Sequence, residues 1–163
     1  MAERLPFRIE PARTPADLAA VAALFRAYAA SLEIDLAFQG FEAETDALPG
    51  PYAFPTGGLL LARDAGDEVV GCVGLRAIPP PGCCEMKRLY VAPHGRGLQL
   101  GGRLIDAILA EAARLGYRSM RLDTLPSMSG AIALYARAGF RPIEPYYETP
   151  LVGTVFLGRA IAD

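Results

Sequence analysis

Apolar and polar positions along the chain change period several times, and each change marks an element. "FRIEPA" is a short run of strand type near the N-terminus. Thr14, with Pro15 next and Asp17 three residues on, has the composition of a helix start with a capping-box variant. From there to about Leu32 the positions Leu18, Val21, Ala22, Phe25, Tyr28 and Ala29 recur at helical spacing, which predicts a helix with one buried face. The pattern then breaks between Glu33 and Gly58, where only Glu42–Leu48 has helical character and three prolines follow. An irregular connection of that length in a compact domain is usually functional or a lid.

Beyond it, "LLLARDAGDEVVGCVGLRAI" consists of two apolar runs around "DAGD", the signature of a β-hairpin. "PPPG" punctuates, and a strand is predicted over Glu85–Val91. The next helix runs to about Leu115, with Leu104, Ile108, Ala112 and Leu115 along one face and Ile105 and Leu109 widening it, and Gly116 as its stop. "SMRLDTL" predicts a strand, "SGAIALYARAGF" a helix ending at Gly139, and "RPIEPYY" and "GTVFLGRAI" two closing strands. The succession predicts a mixed α/β domain spanning residues 1–163, with a largely antiparallel sheet and one βαβ crossover in its second half.

Composition narrows the partners. Net charge is −2, from 16 basic and 18 acidic residues, which argues against a nucleic-acid footprint. No run approaches the roughly 18 apolar residues of a membrane span, and no signal-peptide pattern opens the chain. The three cysteines, Cys72, Cys83 and Cys84, have no framework spacing, and the chain has a single histidine, His94. A cytoplasmic protein with reduced thiols and no metal site is expected.

The stretch "HGRGLQLGGRLI", His94 to Ile105, places four glycines and two arginines where the strand hands over to the helix. Unpaired amides and the positive end of the helix dipole make such a junction an anion site. Bare backbone lets phosphate oxygens approach several amides at once, and Arg96 and Arg103 can add charge. The alternative is that Gly95 and Gly97 form a turn while Gly101 and Gly102 permit close helix packing. Arg103 and Leu104 replace the lysine and hydroxyl residue of a P-loop, and Leu100 replaces the third glycine of a dinucleotide fingerprint.

"RLYVAPHGRGLQLGGRLIDAILAEAARLGY" resembles the acyl-CoA-binding core of the GNAT acetyltransferase superfamily, a strand, a loop of pattern Q/R-x-x-G-x-G/A and a helix. Arg96 takes the first position of that pattern and Gly101 the last, with Gln99 where the family has a glycine. "GAIALYARAGF" matches a second family segment, A-x-x-L-Y-x-x-x-G-F, with Ala131, Leu134, Tyr135, Gly139 and Phe140 in register. The asparagine that often precedes this helix is replaced by Met128. The resemblance covers about Glu85 to Arg141 closely. It implies a GNAT-like α/β fold, with a central, mostly antiparallel twisted sheet, splayed middle strands and about four flanking helices.

The same resemblance implies N-acetyl transfer from acetyl-CoA to a primary amine of a small molecule or peptide, without a metal. Leu89, Tyr90 and Val91 would pair with the pantetheine arm. The loop and helix start, Arg96, Gly97, Leu98, Gln99, Leu100, Gly101, Gly102 and Arg103, would hold the pyrophosphate. Tyr135 would be the general acid, since a phenol with pKa near 10 keeps its proton at neutral pH. Glu85 is the candidate base, and Asp123, on the opposite strand, would orient the amine or pair with Lys87 or Arg88. Phe38, Gln39 and Tyr146 would contact the acceptor, within "LAFQGFEAE" and "PYYETP". Two alternatives stay open, a non-catalytic acyl-CoA-binding module and an acyltransferase with another donor. A homodimer through a closing strand such as "GTVFLGRAI" also stays open.

Overall fold

A computed structural model describes residues 6–32, 40–97 and 99–161. Seven strands form one sheet in the order β1-β2-β3-β4-β5-β7-β6. They are β1 (Phe7–Pro11), β2 (Gly58–Asp64), β3 (Val69–Ile78), β4 (Cys83–Val91), β5 (Ser119–Thr124), β6 (Arg141–Pro142) and β7 (Val155–Ala160). The helices are α1 (Pro15–Ser31), α2 (Phe41–Asp46), α3 (Leu100–Arg114) and α4 (Ser129–Arg137). Every strand pair is antiparallel except β4 and β5, which α3 connects as the expected crossover.

The sheet buries both faces. Leu60 and Ala62 of β2 and Val73 and Leu75 of β3 face α3, where Leu104, Ile105, Ile108 and Ala112 complete the core. The alternate residues Leu59, Leu61 and Cys72 face α1 and α2, against Val21, Leu24, Phe25 and Phe41. The unbroken run "LLLA" therefore reflects a central strand covered on both sides. Helix α1 begins as its sequence predicts: Thr14 caps the amide of Asp17, and the Asp17 carboxylate returns to the amide of Thr14.

Several boundaries differ from expectation. α2 ends at Asp46 and not Leu48, and β7 begins at Val155. β4 begins two residues earlier, at Cys83. "RPIEPYY" is strand only at Arg141–Pro142; Pro142 and Pro145 have no N–H to extend a ladder, and the segment leaves the sheet after Ile143 donates to the carbonyl of Phe156 (3.0 Å). β6 thus occupies the outer edge of β7 at Leu157 and Gly158. That edge belongs to the strand nominated for a dimer contact.

Candidate active site

The cleft arises from the sheet itself. β4 and β5 pair only at Cys83–Glu85 with Ser119–Arg121, and beyond that point no ladder joins Met86–Val91 to Leu122–Thr124. A bulge against β3 follows just beyond the point of parting. Cys72 pairs with Tyr90 and Gly74 with Lys87, so Val73 alone spans Arg88 and Leu89. Arg88 takes a left-handed conformation there, with φ of 59°, which bends β4 and increases its twist. The extra residue also resets the side-chain alternation. Leu89 and Val91 face the α3 core, while Lys87 and Arg88 in succession face α1 and α2.

Into this opening come Tyr28 of α1 and Leu32 just after it, Met86 through Leu89 of β4, Asp123 and Thr124 of β5, and Met128 and Tyr135 around α4. Tyr135, 7% exposed, stands on the α3 side of the sheet. Burial pushes its phenol above the ordinary value, with Tyr28 and Asp123 adding to the effect, so it holds its proton through the neutral range. Helix α4 ends in a hydrogen-bonded reversal at Gly139 (φ 92°), which fixes the height of Tyr135 at the cleft.

On the opposite face lies a dense charged layer. Glu85, 1% exposed, is the last β4 residue paired with β5. Its Oε1 accepts from Arg76 Nε at 2.9 Å and lies 4.0 Å from Lys87 Nζ. Its Oε2 accepts from the hydroxyl of Tyr146 at 2.5 Å. Asp123, across the opening, accepts from the hydroxyl of Tyr147 at 2.6 Å. Arg88 pairs with Glu44 of α2 at 3.0 Å and lies 5.0 Å over the Phe41 ring. Burial lowers the Lys87 ammonium from its ordinary value, and Arg88 and Arg76 add to this while Glu85 and Asp123 oppose it. Asp123 lines the opening, whereas Glu85 lies at the last paired position of β4 and β5.

The loop before α3 divides the work of its four glycines. A Cβ on Gly95 would stand 3.0 Å from Val70 Cβ, and one on Gly101 would stand 2.9 Å from Leu134 Cδ1. Those two permit close packing. Among the described residues, a Cβ on Gly97 (φ 87°) would meet nothing within 4 Å, and one on Gly102 would meet Leu134 alone, at 3.9 Å. Gln99, also left-handed, precedes α3 with no side-chain cap on the helix amides. The amides of Leu100 to Gly102 lie in the first turn, which has no intrahelical partners for them. The Leu100 side chain is in the core, so only its backbone is available there. This bare, uncapped helix start beside an open strand edge fits a diphosphate and its extended arm.

The two arginines of this stretch make different contacts. Arg96 turns back, its Nε donating to the Val91 carbonyl at 3.2 Å, so that carbonyl has a partner already. Arg103 lies 5.8 Å over the Phe7 ring and, with Arg137, flanks a groove running from the helix start between α3 and α4. Arg137 was not singled out from the sequence; its place one turn beyond Leu134 becomes meaningful only once α4 is docked on α3. Tyr90 meets Tyr28 edge to face at 6.0 Å. His94 lies 3.6 Å from Glu68, away from the cleft residues. Leu98, Phe38 and Gln39 lie outside the described residues. Among the described residues no group of three His, Cys, Asp or Glu side chains could hold a metal ion, and no helix is long and apolar enough to cross a membrane.

A parted parallel pair, an uncapped helix start below it and a protonated tyrosine at the opening define an acyl-CoA-dependent transferase. The chain belongs to the acetyltransferase (GNAT) family, whose model matches residues 22–140. It is 40% identical over 149 residues to an uncharacterised N-acetyltransferase of Schizosaccharomyces pombe, covering 91% of each chain. A Klebsiella pneumoniae protein described as an acyl-CoA N-acyltransferase superposes with a TM-score of 0.73 at 30% identity, over 98% of this chain and 100% of that one. A GNAT-family acetyltransferase of Staphylococcus aureus shares the fold, with a TM-score of 0.79 at 18% identity, over 96% and 99% of the two chains. The protein is an N-acetyltransferase, and its family implies acetyl-CoA as the cosubstrate.

Proposed function

We propose that the protein acetylates a primary amine of a small molecule or peptide by direct attack in a ternary complex, with Tyr135 as proton donor and Glu85 as proton acceptor. The observation that carries this is the parting of β4 from β5 beyond Glu85 and Arg121, with Tyr135 lining one side of the opening and the Glu85–Asp123 layer on the other. Bound acetyl-CoA supplies the acetyl group and a sulfur leaving group. Leu89, Tyr90 and Val91 offer the strand edge for its arm, and the amides of Gly97 and of Gln99 to Gly102 offer donors for its diphosphate, with Arg103 and Arg137 beside them.

The acceptor arrives from the α1–α2 face. An amine reaches neutral pH as its ammonium, and that proton must leave before nitrogen can attack. Asp123 orients the ammonium and Glu85 takes the proton, while the ring of Tyr146 walls the acceptor side. Tyr135 holds a proton on Oη for the departing thiolate. Asp123 as the proton acceptor is a second reading, favoured by its place at the lining of the opening, where Glu85 is already engaged by Arg76 and Tyr146. Three free, buried cysteines support a cytoplasmic setting.

Calorimetric titration with acetyl-CoA, with CoA and ATP in parallel and no added metal, tests the donor. Micromolar acetyl-CoA binding without an ATP response is expected, followed by thiol release with members of a primary-amine panel. Silence with acetyl-CoA would overturn the proposal.

A further inference from the structure

The segment between β6 and β7 carries two consecutive tyrosines, and both reach back to the carboxylates of the parted strands. Tyr146 donates to Glu85 and Tyr147 to Asp123, at 2.5 and 2.6 Å. Successive residues of an extended segment would point apart. Here they are gathered by Phe156 of β7, whose ring lies 5.3 Å from each, with the two tyrosine rings 5.5 Å from one another. Edge-to-face contacts in all three pairs fix where each hydroxyl points. Arg121, which faces Glu85 across the last paired position, lies 5.8 Å over the Tyr146 ring and holds it from outside.

We propose that Tyr146 and Tyr147 are positioning residues, each holding one carboxylate of the acceptor site in place through a phenol hydrogen bond. The functional side of this rests on the proposed part of Glu85 and Asp123 in acceptor chemistry; the hydrogen-bond coupling does not. Glu85 is also faced by Arg76 from β3, Lys87 from its own strand and Arg121 from β5. Asp123 is faced by Lys87, by Tyr28 from α1 and by Tyr135 from α4. One phenol therefore acts on Glu85 within a cationic surround, and the other on Asp123 among further phenols. Burial and the adjoining carboxylates raise both phenols above their ordinary values, so neither competes for the acceptor's proton at neutral pH.

The test pairs carboxyl ¹³C spectra with steady-state kinetics on the whole protein, wild type, Tyr146→Phe and Tyr147→Phe, with the side-chain carboxyls labelled. At one neutral pH the Glu85 signal is expected to move in Tyr146→Phe and the Asp123 signal in Tyr147→Phe, each change leaving the other signal in place. Tyr147 is the less buried ring, so its variant tests the proposal even if Tyr146→Phe folds poorly. With whichever panel amine releases thiol fastest, kcat/KM for the amine should fall about tenfold in each variant, with the acetyl-CoA Kd unchanged. Moved signals with unchanged kinetics would uphold the hydrogen-bond coupling and remove that carboxylate from acceptor chemistry. Signals unmoved in both variants would overturn the proposal.

Discussion

The amide of Phe140 donates to the carbonyl of Tyr135 at 3.0 Å, and the two rings meet edge to face with centroids 6.0 Å apart. The end of α4 thus fixes the residue whose hydroxyl faces the opening. Tyr135→Phe keeps the ring, the helix end and the contact with Phe140, and removes only the hydroxyl. Loss of general-acid catalysis should lower kcat by about 10²- to 10⁴-fold, with acetyl-CoA affinity and thermal midpoint close to wild type. Turnover unchanged in stopped-flow thiol release would show that the departing sulfur takes its proton elsewhere.

Gly97 is the clearest test of the cradle, because sterics and conformation separate there. A Cβ would touch none of the described residues within 4 Å, yet φ is 87°, and an L-residue in the left-handed region costs roughly 1–2 kcal/mol. Gly97→Ala should therefore reshape the loop that presents the helix amides. Calorimetry should find the Kd for acetyl-CoA raised about tenfold, the equivalent of about 1.4 kcal/mol. An unaltered Kd would place the diphosphate away from this loop.

Much of this architecture was legible because local chemistry dictates it. Thr14 and Asp17 announce α1, and the spacing of Leu104, Ile108 and Ala112 announces α3, since each signal lies within a few residues of what it fixes. The bulge at Arg88 gives no such signal: a left-handed arginine is held by its neighbours, Glu44 and Phe41 among them, and not by its own preference. The pairing of Tyr146 with Glu85 spans 61 residues, and no periodicity encodes it. Two prolines did mark where the strand around Arg141 would fail. Gly101, expected at the cradle, is needed at least as much for Leu134 on α4, which only the docked helices reveal.

Gly74 tests the packing beneath the acceptor face. A Cβ there would lie 2.9 Å from both Cδ1 and Cε1 of Tyr52, a ring only 2% exposed that also meets Phe25 edge to face at 6.1 Å. The ring has little room to retreat, so Gly74→Ala should destabilise the fold by about 1–3 kcal/mol. Chemical denaturation would measure this, and an unchanged midpoint would mean that Tyr52 moves more freely than its burial implies.

The capping box on α1 should make stability depend on acid. The Asp17 carboxylate is held below its ordinary range first by the amides of Arg13 and Thr14, at 2.9 and 3.2 Å, and then by Arg63, at 2.7 Å. A depressed carboxylate contributes stability that is fully present above its unfolded value, about 3.9, and is lost as pH falls through the folded value. Asp17→Asn keeps the shape and removes the charge. Wild type should exceed it by about 1 kcal/mol at pH 6, the scale of charge-assisted bonds at a partly exposed site. That gap should close as pH falls from about 4 towards 2, where both chains carry a neutral group at this position. Paired denaturation curves across that range decide the matter: a gap that stays constant would assign the effect of the substitution to shape and not to charge.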